Sequence, residues 1–121
     1  MDAVWDLEAL GWRVRRAGRD WLVVGSGRAF LLAWREVPGR ATIEGGVLTA
    51  RLRDDDETIV RYAGLRGRVL AAAWRVGQGI RPVVVVDGDF PGRVVEDEGL
   101  VYVRADELAA WLRPFALPLA S

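Results

Sequence analysis

Four consecutive valines, Val83 to Val86, stand between Pro82 and Asp87. An unbroken β-branched run of this kind suits a central strand whose two faces are both covered. A sheet that contains such a strand needs packing elements on either side, so the chain is expected to fold in layers around it. Leu100 to Val103 reads as a second buried strand.

Upstream the pattern changes from continuous to alternating. Val4, Leu7 and Leu10 are spaced for a short helix, and Gly11 follows as its C-cap. Trp12 and Val14 alternate with Arg13 and Arg15 in a strand expected to end at Ala17-Gly18. Trp21 to Val24 and Ala29 to Trp34 are strands joined through Gly25-Ser26-Gly27. Pro38-Gly39 places a turn before Arg40 to Glu44, and Gly45-Gly46 a hairpin into Val47 to Leu52.

Asp54, Asp55, Asp56 and Glu57 fit the N-terminus of a helix, where the macrodipole favours negative charge, and the spacing predicts a long helix from Asp56 to Val76. On it Ile59, Tyr62, Leu65, Val69, Ala72 and Val76 form an apolar arc widened by Ala63, Leu70 and Trp74, while Arg61, Arg68 and Arg75 mark a solvated face. Asp106 and Glu107 open a last helix expected to stop at Arg113-Pro114. The result is one α/β (α+β) domain over residues 1–121, in the order αβββ(β)αββα.

Composition limits the chemistry sharply. Cys, His, Lys and Asn are all absent. That removes disulfides and thiolates, the usual general base and the commonest transition-metal ligand. It also removes Schiff-base chemistry and the lysine of a phosphate-binding loop. Carboxylate chemistry remains, alone or with a hard cation such as magnesium. The 17 basic residues, all arginine, balance 17 acids, so any site for a polyanion must be a local patch. With no signal-like N-terminus and no run of 18 apolar residues, a cytoplasmic protein without a membrane span is expected.

Several segments in order, Leu7-x-x-Leu10-Gly11-Trp12-x-Val14, Asp20 to Gly27, Phe30 to Arg35 with Gly39, Pro82 to Val86, and Val101-x-Val103 with Glu107-Leu108, resemble the nuclease-related domain (NERD) branch of the PD-(D/E)xK superfamily. The resemblance covers roughly Val4 to Leu112. It implies a restriction-endonuclease-like three-layer fold, with a central mixed sheet flanked by helices. It also implies an acidic pair and a lysine around a magnesium ion that activates water.

The first acid falls on Asp20, but the second falls on Ala33, the lysine on Arg35 and the family's histidine on Trp21. Arg35 can hold a phosphate but cannot stand in for a titrating amine. The resemblance therefore implies a degenerate relative needing no cofactor, a nucleic-acid-associated or protein-interaction module. Residual magnesium-dependent phosphodiesterase activity would need Asp20 with Glu36, which strand alternation places on the face opposite Ala33.

A second acidic set, Glu44 with Asp87 and Asp89, is similar to a Toprim metal site, although strand-like residues follow Glu44 where that pattern has a helix. Asp87-x-Asp89 after an apolar strand also resembles haloacid-dehalogenase-like phosphatases, whose downstream lysine is missing here. Arg13, Arg15, Arg16 and Arg19, with Arg35, Trp12 and Trp21, are the expected surface for DNA or RNA. A structural or immunity-like subunit, binding a protein partner or a second copy, is the remaining alternative.

Overall fold

The valine run lies at the centre of the molecule. The computed structural model describes residues 7–25, 27–52 and 58–116. After a helical turn at residues 7–9 come β1 (Arg13–Ala17), β2 (Asp20–Gly25) and β3 (Arg28–Glu36), an antiparallel meander. Strands β4 (Arg40–Glu44), β5 (Val47–Arg51) and β6 (Ile59–Arg61) form a separate three-stranded antiparallel sheet. Helix α1 (Leu65–Val76) leads into β7 (Ile80–Asp87), which contains the valines. Strands β8 (Val94–Asp97) and β9 (Leu100–Arg104), a 3₁₀ turn at Ala105–Glu107 and helix α2 (Leu108–Ala116) complete the described chain.

The main sheet has the order β1-β2-β3-β7-β9-β8 and is mixed. Strand β7 runs parallel to β3 on one side and to β9 on the other, and Val83 to Val86 are wholly buried. Alternation along the strands sends their side chains into two cores. On one face Trp12, Trp21, Val23, Phe30, Leu32, Val83, Val85, Val101 and Val103 pack with Leu7 and with Leu108 and Leu112 of α2. On the other, Ala33, Val84, Val86, Leu100 and Tyr102 pack with Leu65 and Val69 of α1 and with Ala41 and Leu48 of the small sheet. The architecture is mixed α+β, with packing elements on both faces of the sheet, as the valine run requires.

Four expectations need correction. The helix predicted from Asp56 begins at Leu65, after Gly64, because Ile59–Arg61 pairs with β5 in the register Thr49↔Arg61, Ala50↔Val60 and Arg51↔Ile59. Cross-strand pairing of β-branched Ile59 and Val60 outweighs the accidental three-residue spacing of Ile59 and Tyr62. Arg61 therefore leaves the helical row of arginines. The acidic run Asp54 to Glu57, and Val4 of the predicted first helix, lie outside the described residues.

Second, Leu70 and Trp74 do not widen a buried arc. Leu70 is 37% and Trp74 74% exposed, and α1 buries only Leu65, Val69 and Ala73. Third, β8 was not expected. Four residues, two exposed and two half-buried, are too few to give a clear periodic signal, yet the strand pairs with β9 as the outer edge of the sheet. Fourth, Pro114 lies inside α2, which continues to Ala116 because Phe115 packs against Phe30 and Trp111, with ring centroids 5.3 Å away in each case. Aromatic packing offsets the backbone bond that proline removes.

Gly39 joins the two sheets. A Cβ there would sit 2.3 Å from the Arg51 carbonyl oxygen, so only glycine lets the chain pass β5 at this distance. Among the described residues, no helix is long and apolar enough to cross a membrane.

Candidate functional site

Strands β1 and β2 are joined by the two-residue turn Gly18-Arg19, since Ala17 and Asp20 are Cα partners. Gly18 has φ +65, the conformation a tight hairpin turn of this kind demands of its first central residue. The turn projects Arg19 and starts β2 at Asp20. From the β2–β3 register, Trp21↔Leu32, the next pair outward is Asp20 with Ala33, so Asp20 shares the α1-facing side of the sheet with Ala33 and Arg35.

Asp20 is 7% exposed, an unusual depth for an aspartate. Its Oδ1 is buried and has no hydrogen-bond donor among the described residues. Arg35 Nη1 lies 3.7 Å from it, close enough for an ion pair but too far for a hydrogen bond, and instead donates to the Trp34 carbonyl at 2.8 Å. Burial pushes the Asp20 carboxyl above its ordinary value; the charge of Arg35, then of Arg16 and Arg19, acts in the opposite direction.

These groups open onto a cleft of about 510 Å³ between the β1–β2 turn and α1. Its lining includes Arg19, Asp20, Arg35, Arg68 and Arg75, with Gly67, Ala71 and Ala72 as a low helical wall. Helix α1 is held in place by Arg66, which bonds the Asp97 carbonyl at 2.9 Å and faces the Asp97 carboxylate at 3.4 Å. The cleft thus sets four guanidiniums against a single carboxylate, in a chain whose net charge is zero. Such a concentration of one sign raises the local concentration of anions. Arg68 and Arg75 are exposed, as expected of a solvated helix face, and they also line this cleft; their seven-residue spacing puts them on one side of α1.

The expected arginine-aromatic surface divides. Arg13 and Arg15 face the same side as Leu22 and Val24 and line a hollow beside the cleft. Arg16 lies on the opposite face, its guanidinium 4.6 Å from the Trp21 ring centroid. Trp12 and Trp21 are core residues, 3% and 8% exposed, and so do not form a surface. Strand alternation separates neighbours that sequence proximity groups together.

The carboxylate sets are also separated. Glu36 lies exposed at the end of β3, about 10 Å along the chain from Ala33 at strand rise and on the other face, and so does not complete Asp20. Glu44 accepts from Thr42 at 2.7 Å and from Arg51 at 2.9 Å, which holds it below the usual carboxylate range. Asp87 accepts from Trp34 Nε1 at 3.0 Å, and Asp89 faces Arg40 at 3.9 Å. Among the described residues, no three acidic side chains gather into a metal-holding group. A hard divalent cation needs several oxygens, whereas Asp20 offers a partly sequestered carboxylate with a guanidinium beside it. The donors at this cleft do not fit such an ion.

Known proteins add no relative. No family model matches the sequence, and neither a curated protein nor a solved structure matches the chain. The reading of function therefore rests on the cleft.

Proposed function

We propose that this chain is a non-catalytic module that holds the phosphate backbone of a nucleic acid in the cleft of Arg19, Arg35, Arg68 and Arg75. The observation that carries the reading is that concentration of four guanidiniums around one buried carboxylate. Guanidinium pairs phosphate in a planar fork and is always charged, so four arginines set against one carboxylate suit a polyanion better than a neutral metabolite. Arg13 and Arg15 extend the basic surface along β1.

In this reading the domain is a restriction-endonuclease-like relative whose chemistry has been lost. The resemblance puts the metal-binding acids at Asp20 and position 33, which are cross-strand neighbours on one face; with alanine at 33, the grip on a metal is gone while the basic wall remains. What is left is binding in the place where cutting occurred. No water-activating step is assigned to these residues.

The full chain should bind labelled DNA or RNA oligonucleotides at low salt, with magnesium or manganese producing no new ends on a denaturing gel. Arg68→Glu with Arg75→Glu should abolish the binding. Cleavage that is lost on Asp20→Ala would overturn the non-catalytic reading, and failure to bind any oligonucleotide would overturn the nucleic-acid reading.

A further inference from the structure

Helix α1 has two open sides. Gly67, Arg68, Ala71, Ala72 and Arg75 face the arginine cleft, while Leu70, Ala73 and Trp74 line a separate hollow of about 400 Å³ with Gly79, Ile80 and Pro82. Trp74 is 74% exposed, whereas Trp12 and Trp21 are buried in the core. With Leu70, 37% exposed one turn earlier, Trp74 leaves apolar surface in water beside this hollow that a partner can cover. Among the described residues, no aromatic ring or cation stacks on Trp74, although Trp21 and Trp111 each have an arginine over the ring.

Position along the helix says what the cover is. Trp74 adjoins Arg75 in sequence and lies three residues after Ala71 and seven after Gly67, so it stands beside the low wall of the cleft. A Cβ on Gly67 would meet nothing within 4 Å, so that wall has no obstruction at this point. A backbone lying against Arg68 and Arg75 would have bases within reach of the Trp74 ring across Gly67 and Ala71. In a duplex those bases are stacked and paired, and their faces are closed to a side chain; in a single strand they are open.

We propose that the partner is single-stranded nucleic acid, with phosphates in the arginine cleft and one unpaired base stacked on Trp74. This deepens the reading of the cleft and depends on it. Charge complementarity selects the occupant. The apolar ring stands beside the low Gly67-Ala71 wall, and Arg68 and Arg75 line the cleft beyond it, which suits a ligand carrying both a flat π-face and negative charge. The tryptophan contributes no sequence preference, because every base has such a face.

The test uses the full chain with fluorescein-labelled 12-mers of oligo(dT), oligo(U) and a duplex of equal length, followed by anisotropy and by tryptophan emission. Single strands of either sugar should bind more tightly than duplex and quench tryptophan. Trp74→Ala should weaken single-strand binding by about tenfold and abolish most of the quench, leaving duplex binding unchanged, while Trp74→Phe should retain most of the affinity. Because Trp74 is exposed, both variants should keep the parent's circular dichroism.

If Arg68→Ala with Arg75→Ala weakens binding but Trp74→Ala does not, the stacking proposal is overturned and the phosphate cleft stands. If no oligonucleotide binds, both readings are overturned together. A sedimenting dimer dissociated by Trp74→Ala, with oligonucleotide binding unaffected, would show a second copy to be the occupant and would also overturn the proposal.

Discussion

Replacing Asp20 by Asn should stabilise the protein at neutral pH. The carboxylate is 7% exposed, and its inward oxygen lacks a donor among the described residues. A buried acceptor left unsatisfied costs about 1–3 kcal/mol. The Arg35 ion pair at 3.7 Å returns less than about 1 kcal/mol, because that guanidinium is 27% exposed and screened by water. The balance is a native-state penalty of roughly 1 kcal/mol. Asn keeps the shape of the side chain but carries no charge, so it relieves the share of that penalty that comes from burying an ionised oxygen. For a domain of this size the gain is a rise of about 3–5 °C in Tm.

The sign with pH follows from the raised carboxyl of Asp20. The folded chain holds this proton more tightly than the unfolded one, so stability is lost as pH rises from the ordinary value of 3.8 through the raised value, and the penalty is complete above it. Urea melts of parent and Asp20→Asn at pH 7.5 and pH 4 measure both quantities. The variant should be the more stable at pH 7.5, with the difference shrinking towards pH 4. A variant less stable than the parent at pH 7.5, or a difference independent of pH, would show that the ion pair outweighs desolvation and refute the reasoning.

The same substitution should tighten oligonucleotide binding about threefold in titrations, the effect of removing one negative charge roughly 6 Å from a phosphate in a water-like dielectric. If Arg19, Arg35, Arg68 and Arg75 each neutralise one phosphate of a single strand, log K should fall against log salt with a slope of about −2.8, and the Arg68→Ala, Arg75→Ala pair should halve it; an unchanged slope would place the phosphates elsewhere. Ala33→Asp should create a cation site with Asp20, seen as a manganese-dependent rise in Tm that the parent lacks; a folded variant indifferent to manganese would count against the proposed descent from a metal-dependent nuclease. Gly39→Ala should lower stability in urea by about 1–3 kcal/mol, since the new methyl meets the β5 backbone and not a flexible side chain.

Features specified over a few residues were legible. The central position of Val83 to Val86, the antiparallel pairing of β2 with β3, the hairpin at Gly45-Gly46, and the strand edges near Ala17 follow from side-chain alternation and turn chemistry alone. Strand β6 was not legible in the same way, because Ile59 and Val60 suit a helix edge or a strand until β5 is there to pair with them. The candidate site was half visible: the resemblance singles out Asp20 and Arg35, and alternation puts Arg35 on the face of Ala33, but only the β2–β3 register adds Asp20 to that face. Arg68 and Arg75 were seen as a row, but their seven-residue spacing reveals that two side chains share a side of a helix without revealing what that side meets.

The sequence by itself determined a layered α+β chain and, through the absence of histidine, cysteine and lysine, the classes of chemistry closed to it. Only the tertiary structure decided that Asp20 is buried, that Arg16 turns away from Arg15 to lie on Trp21, and that α1 brings Arg68 and Arg75 to Arg19 and Arg35. The physical reason is that inventory and periodicity are properties of neighbours along the chain. Electrostatic concentration and desolvation depend on which faces are brought together by β-strand register and helix docking, contacts made between residues tens of positions apart.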